Sequence, residues 1–470
     1  MTTDSIPGPL AQACDEVRLA GPADAVAGVQ PGLVAAPAST EQASAVLRAA
    51  AQLGLTVVPR GSGTKLDWGY PPDRADLIID TTRLNQVVEH EAGDLVATVQ
   101  AGVTIEQLAA VLAKAGQRLA LDLPARRLPS GATRSAGTIG GVLSTNVAGP
   151  LRFRYGSPRD LLIGLTIVRA DGTIAKSGGK VVKNVAGYDL GKLLAGSRGT
   201  LGLITQATFR LHPLPAATGY VTVPCATPGD CARLLAVAQS AAIAPVAAEL
   251  DWTGPDEPIM LGVAIEGDPA GVAQRSETLA DQLAREAGGT AVAMSDAPPA
   301  WWGSRAAATP DDTVLQVASW AGRVGTVLAQ LRAAAARTGL DLVIGGSAAA
   351  GLLDVAIPSS ADPGQIASFV TSLRAAWLQG QSILDSPISD NPLSDYPKLD
   401  NPISGHGRGG VSRGGGVPPR ATVVVLRAPA SVREQVDLFG PVPSLGLMRA
   451  VKQQFDPGRT LSPGRFAGGI

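Results

Sequence analysis

Two hydrophobic periods alternate along the first two hundred or so residues. Ala43, Val46, Leu47 and Ala50 recur at helical spacing behind Ser39 and Thr40, either of which can cap a helix, and Gly54 sits where a C-terminal glycine belongs. LTVVP at 55–59 then reads as a short buried strand, followed at once by RGSGT. A second helix begins at Thr104, with Gln107 completing a capping box; Ile105, Leu108, Leu112 and Ala115 line its face and Gly116 closes it. LIID (77–80) and DLVATVQAG (94–102) read as strands between these helices. LLIGLTIVRADGTIAKSG (161–178) reads as a hairpin turning at Ala170, Asp171 and Gly172.

HPLP (212–215) closes this region, and a second pattern starts at Gly219. VTVPC, then 246–252, 259–267, 313–319 and 353–357, read as strands, with helices expected near 227–241, 269–287, 323–338 and 363–378. That order suggests two ferredoxin-like βαββαβ units able to share one sheet, so the expected class is α+β. Residues 380–420 are rich in Pro, Ser, Asp, Asn and Gly with no apolar period and read as a flexible insertion, its RGG-like pieces at Arg408 and Arg413 included. ATVVVLRAP (421–429) resumes as a last strand, and 448–466 gives a final helix and tail. The expected divisions are a 1–26 extension, a 27–218 domain, a 219–379 cap, the 380–420 insertion and a 421–470 return.

Three connections, 59–64, 137–149 and 178–202, are rich in glycine. In PRGSGT, Gly61 and Gly63 remove side chains where backbone N–H groups can converge on an anion, and Arg60 and Lys65 add positive charge. Alone, this GxG is equally a tight turn. It is not the Rossmann fingerprint, because no G-x-G-x-x-G opens a helix here. In GTIGGVLSTNVAG, Gly140 and Gly141 let backbone approach a phosphate or sugar chain, while Ser144 and Asn146 offer hydrogen bonds. The third, GGKVVKNVAGYDLGKLLAGSRGTLGLIT (178–205), ends with Gly199 and Gly202 bracketing a turn into a strand. Three such segments together suit a large phosphorylated cofactor lying extended across a sheet.

Composition narrows the classes. Of 470 residues, 45% are hydrophobic and 17% charged, enough for a large core, and the net charge of -1 gives no general attraction to nucleic acid or an anionic membrane. Cys14, Cys225 and Cys231 form no C-x-x-C, which argues against an iron–sulfur cluster or zinc knuckle within this chain. The segment MTTDSIPGPLAQACDEV has neither a basic start nor an apolar core, and the apolar window 234–250 is broken by Gln239, Ser240 and Pro245. A cytoplasmic protein with no membrane span of its own is expected.

VVPRGSGT, TIGG…N…G and the 178–205 stretch together resemble the PCMH-type FAD-binding domain of the vanillyl-alcohol-oxidase family. QQFDPGRTLSPGR is similar to the FDP…NPGR ending of FAD-linked 2-hydroxyacid oxidases. Within that group, KNVAGYDL and the histidine-poor second half most resemble the FAD-binding accessory subunits of bacterial glycolate oxidases. The resemblance is strong over about 27–218 and the last 25 residues, and loose over 219–447. It implies a two-part FAD-binding domain, a ferredoxin-like cap and a C-terminal segment returning to the first domain. It also implies that Pro59, Arg60, Gly61, Ser62, Gly63 and Thr64 surround the FAD pyrophosphate. Gly137, Thr138, Gly140, Gly141, Ser144, Asn146 and Gly149 would follow the ribityl and pyrophosphate, and Gly199, Leu203 and Ile204 would reach the adenine end. Residues 183–189 would pack beneath the cofactor. Where relatives often carry glutamate in GSEG, this chain has Arg198, which puts a side-chain contact in question. PRGSGT holds no His or Cys, so FAD is expected to be non-covalent.

A bound flavin performs the hydride chemistry, and a base near neutral pH, usually histidine, must take the hydroxyl proton. The chain has His90, ahead of a strand, His212 at the domain exit and His406 in the insertion. None forms H-x-H or H-x-x-x-H, so a structural or solvated role is expected for each and no metal site is expected. Asp251 and Glu266 cannot be singled out, since a lone acid on a strand is usually exposed. Catalytic residues stay unassigned. Three readings follow. The first is an FAD-binding subunit of a glycolate (2-hydroxyacid) oxidase, with a separate catalytic flavoprotein subunit carrying the histidines and an iron–sulfur subunit taking the electrons. The second is a self-sufficient FAD-linked 2-hydroxyacid or alcohol dehydrogenase. The third is a scaffold subunit that keeps the fold without redox function.

Overall fold

The computed structural model describes residues 6–123, 125–127, 133–134, 137–180, 189–240, 242–305, 309, 311–378 and 421–470. The expected insertion, His406 and most of the 183–189 segment lie outside them. The first domain holds two sheets. One places Val17–Leu19, Leu33–Ala35, Leu77–Asp80 and Val57–Arg60 side by side, the last three parallel. Its edge strand therefore begins ahead of residue 27, the expected boundary. The other sheet is antiparallel, in the order Ile174–Gly178, Leu162–Val168, Leu203–Arg210, Val96–Gln100 and Val87–Glu91. His90 lies within that last strand, not ahead of it.

Local signals set most of these elements. Ser39 Oγ accepts from the Gln42 N–H at 3.1 Å and starts the helix Thr40–Gln52. Thr104 and Gln107 cap each other's backbone at 3.1 and 2.9 Å before Ile105–Ala113. Gly54 and Gly116 both take positive φ, where only glycine is unstrained. The segment 137–149 departs from the expected loop, because Thr138 caps a short helix, Ile139–Thr145. Two glycines argue against a helix by propensity. Packing decides otherwise: Ile139, Val142 and Leu143 are buried in the core of the first domain.

The second domain is one antiparallel eight-stranded sheet. Its order is Ala293–Ser295, Ala217–Cys225, Ile259–Gly267, Ala247–Trp252, Val343–Ser347, Leu352–Ile357, Thr313–Ser319 and Ala421–Arg427. Each half is a βαββαβ unit, and Ala247–Trp252 joins the halves by pairing with Val343–Ser347. Ala293–Ser295 and Val343–Ser347 have no counterpart among the strands expected from the sequence. Helices Pro228–Ala238, Pro269–Glu286, Val324–Thr338 and Pro363–Leu378 bury Leu234, Leu279, Leu328 and Phe369 against this sheet in one core.

The chain then returns to the first domain. Behind the helix Leu445–Phe455, Leu461 bridges to Val57 in parallel, and the Ser462 N–H donates to the Val57 carbonyl at 2.8 Å. Lys452 fastens this return. Its Nζ donates to Thr200 O at 2.7 Å, Leu461 O at 2.9 Å and Asp456 Oδ2 at 2.6 Å, in a buried pocket. Asp456 in turn accepts from the Thr460 and Leu461 N–H groups. The FDPGR stretch is thus a knot that presses the tail against Val57. Among the described residues, no helix is long and apolar enough to cross a membrane.

Candidate cofactor-binding site

The C-terminal edge of Val57–Arg60, the start of the Ile139–Thr145 helix and the turn before Leu203–Arg210 meet around an open cleft. Of the sixteen residues expected to hold the cofactor, fourteen line it: Pro59, Arg60, Gly61, Ser62, Gly63, Thr64, Gly137, Thr138, Gly140, Gly141, Ser144, Gly199, Leu203 and Ile204. Asn146 and Gly149 do not. Asn146 ends the helix in left-handed conformation and its Oδ1 accepts from the Arg159 N–H at 3.1 Å. Gly149 donates its N–H to Asp122 O at 2.8 Å.

Close approach explains several of the glycines. A Cβ on Gly61 would fall 2.0 Å from Thr138 Oγ1, and one on Gly140 would fall 2.9 Å from the Ala101 Cβ. Gly63 and Gly199 take φ of +74° and +75°, which a side chain would strain. Gly141 is looser, its nearest neighbour Thr138 Oγ1 at 3.2 Å, and it leaves the cleft wall bare. The result is a wall in which seven glycines leave backbone bare, the kind of surface along which an extended ligand can lie.

The charges differ from the sequence expectation. Arg60 donates to Asp24 at 2.7 Å and to Asp80 at 2.8 Å, so it is neutralised within the protein. The Lys65 ammonium lies 5.7 Å from the Trp68 ring centre. Two other arginines line the cleft, Arg198 and Arg465. Arg198 stacks on Phe439 and Phe466, its guanidinium 5.0 and 5.6 Å from their centres. Arg465 is 4% exposed and donates through Nη2 to the carbonyls of Leu66 and Trp68. Arg198 Nη1, Arg465 Nη1 and Ser462 Oγ are each buried with no hydrogen-bond partner among the described residues. Burial pushes both guanidinium pKa values down to about 10, so both remain cations at neutral pH.

Residues 31–178 match the family model for the FAD binding domain. Residues 31–178 are an FAD-binding domain. The glycolate oxidase subunit GlcD of Bacillus subtilis is 40% identical over 186 residues, 39% of this chain and 38% of that protein. A D-lactate dehydrogenase of Archaeoglobus fulgidus is 36% identical over 198 residues, 42% of each chain. The match therefore takes in less than half the length of these curated relatives. Among solved structures, p-cresol methylhydroxylase superposes with a TM-score of 0.67 at 15% identity, covering 97% of this chain and 95% of that one. The 4-ethylphenol oxidase of Gulosibacter chungangensis gives 0.65 at 14%, covering 98% of each. At such identities the likeness carries the fold: an FAD-binding domain of the PCMH type followed by its cap. The cleft suits FAD on its own evidence of shape, because Gly61, Gly63, Gly140 and Gly199 line it at positions where a side chain would clash or strain the backbone.

Between the FAD-binding domain and the cap lies a second polar cluster. Arg118 pairs with Glu266 across the boundary, at 2.8 Å for Nη1 to Oε1, and the Tyr155 hydroxyl donates to Glu266 Oε2 at 2.9 Å. Glu266, expected to be exposed, has a side chain only 8% accessible. His212 lies edge-on to Tyr155, ring centres 4.7 Å apart, and burial lowers its pKa so that the imidazole is neutral. His90 Nε2 pairs with Gln117 Oε1 at 2.9 Å. Neither histidine lines the cleft. On the cap sheet, Glu249 lies in a small pocket with Asp354, Ser347, Gln316 and Arg152, and burial pushes its carboxyl well above the usual range. Sequence reasoning passed over Glu249. Its only signal was an acid inside the otherwise apolar run VAAEL.

Proposed function

We propose that this chain binds FAD non-covalently in the cleft and serves as the FAD-binding subunit of a complex that oxidises glycolate, or a close 2-hydroxyacid, to the 2-oxoacid. The observation that carries the reading is the convergence of three glycine-rich segments and the C-terminal tail on one cleft of the FAD-binding domain. The names of the relatives, a glycolate oxidase subunit and D-lactate dehydrogenases, support the 2-hydroxyacid class. No histidine or cysteine lines the described cleft, which supports non-covalent attachment. Bound flavin would supply the hydride acceptor.

This chain's own part is to hold and shield that group. The strand end and short helix offer backbone along it. Among the described residues no histidine lines the cleft to act as a base. His212 is engaged with Tyr155 and His90 with Gln117, so the proton-accepting histidine is assigned to a separate catalytic flavoprotein subunit, and onward electron transfer to an iron–sulfur subunit. The chain is placed in the cytoplasm, with any membrane association made through those partners.

The test is glycolate-dependent dye reduction by the isolated, flavin-loaded chain. The proposal predicts no turnover by this chain alone. Turnover by the isolated chain would overturn the subunit assignment and favour a self-sufficient dehydrogenase.

A further inference from the structure

Both domains wall the small pocket around Glu249. Gly149, Pro150 and Arg152 of the FAD-binding domain face Glu249, Ser347 and Asp354 of the cap. Glu249 lies in mid-strand, only 4% exposed, and its Oε1 is buried with no hydrogen-bond partner among the described residues. On the other wall, Asp122 Oδ1 accepts from the Leu151 N–H at 3.1 Å, and the Asp122 carbonyl accepts from the Gly149 N–H at 2.8 Å. Its carboxyl is therefore fixed to the loop that forms that wall. The Arg152–Tyr155 turn beyond this loop packs on the strand that carries Glu249.

Carboxyl groups from two domains thus converge on one boundary, Asp122 from the first domain and Glu249 and Asp354 from the cap. Around Glu249 the packed elements offer little to balance them. Gly262 stands opposite on one neighbouring strand and Ser347 on the other, and Asp251 lies two residues along its own strand. Arg152 is the cation that eases its charge, against burial and the charges of Asp122 and Asp354. Arg118 acts on Asp122, but it is paired with Glu266. A buried carboxyl so placed keeps its proton. Burial pushes Glu249 well above the usual carboxylate range, and Asp122 up to about 7. Neutral, the two acids tolerate each other. Ionised, they repel across a dry boundary.

We propose that Asp122 and Glu249 form a proton-operated latch between the FAD-binding domain and the cap, closed while both hold their protons and opened by losing them. The inference is independent of what occupies the cofactor cleft. Opening moves both carboxyls into water, where they ionise like ordinary acids. The docked state therefore binds more protons than the open one. Docking is at full strength below about pH 4 and weakens as pH rises from there, up to about 7 for Asp122 and beyond it for Glu249. Each proton shed changes the opening equilibrium by up to about tenfold per pH unit. Arg118, Tyr155 and Glu266 add a clamp beside the latch. A lifted cap uncovers the 149–152 loop, which follows the helix whose start lines the cofactor cleft.

The experiment is hydrogen–deuterium exchange of the full-length chain from about pH 5 to 9, corrected for the intrinsic exchange rate. One reporter is 149–155, which packs on the cap. The other is Ser304–Arg305, the cap strand that pairs with Ala125–Arg127 of the FAD-binding domain. The helix Pro363–Leu378, inside the cap core, reports global unfolding. In the wild type, protection at both reporters should fall by up to about tenfold per pH unit while the helix keeps its own. Glu249→Gln keeps the size of the side chain and cannot ionise, so its slope should be shallower and its boundary better protected at pH 9. Glu266→Gln should lower protection at every pH and leave the slope alone. One slope shared by the wild type and Glu249→Gln would overturn the proposal. So would loss of protection in the helix together with the reporters, which signals unfolding rather than opening. If Glu249→Gln does not fold, Asp122→Asn decides it by the same comparison of slopes below about pH 7.

Discussion

Gly61→Ala is a one-carbon change that should distort the cofactor cleft. The added methyl carbon would stand 2.0 Å from Thr138 Oγ1, 3.2 Å from its Cβ and 3.3 Å from its Cγ2. Non-bonded heavy atoms sit comfortably at roughly 3.5 Å, so the strand end and the helix start would have to separate by about 1.5 Å. Overpacking of this kind costs about 1–3 kcal/mol. Both segments line the cleft, so the displacement should weaken FAD binding by about 5- to 150-fold. The offending atom can be removed. Thr138→Ala deletes Oγ1 and with it a long cap to the Gly141 N–H at 3.4 Å, worth at most ~1 kcal/mol. In the double variant the nearest contact becomes the residue 138 Cβ at 3.2 Å, a separation that a small shift relieves. A double-mutant cycle on FAD affinity, read by flavin fluorescence, should therefore show Thr138→Ala rescuing Gly61→Ala by at least ~1 kcal/mol. Additive effects, within about 0.5 kcal/mol, would refute the steric argument.

Other expectations follow from the same geometry. Lys452→Met leaves the buried Asp456 carboxylate without its cation and strips the carbonyls of Thr200 and Leu461 of a donor, so urea unfolding should show a loss of about 3–5 kcal/mol. Glu266→Gln weakens the Arg118 and Tyr155 contacts across the domain boundary; a loss of about 2 kcal/mol and faster limited proteolysis between domains are expected, and unchanged digestion would count against that contact as a clamp. For pH, burial pushes the Asp122 carboxyl up to about 7 and Glu249 higher than the usual carboxylate range. Such acids keep a proton in the native state that the unfolded chain has released above about pH 4, so stability should fall as pH rises from there towards 7, and beyond it for Glu249. Thermal unfolding across that range should be flatter in Asp122→Asn and Glu249→Gln; equal slopes in the wild type and both variants would show that these groups are not the source.

What could be read in the sequence was local. Ser39, and Thr104 with Gln107, announce helix starts because capping is decided within four residues. The cleft-lining glycines were legible because each needs bareness or positive φ, whatever lies far away in sequence. What was missed depends on tertiary partners. The strand Val343–Ser347 contains Gly345 and Gly346, the latter at φ +133°, which breaks the alternation that marks a strand; its neighbours on both sides hold it in the sheet. Glu266 reads as a solvent-facing acid until Arg118 and Tyr155 close over it from the other domain. The surroundings of Arg60 and Arg198 were hidden for the same reason. Asp24 and Asp80 neutralise the first, and only the returning C-terminal tail brings Arg465 beside the second.

The central claim is that the cleft of the FAD-binding domain holds FAD without a covalent bond. The direct measurement is the visible spectrum of the purified full-length chain, with the cofactor identified after acid precipitation of the protein. The account predicts flavin absorption bands and FAD released intact into the supernatant. A colourless chain that takes up no added FAD, or flavin that stays with the precipitated protein, would contradict it.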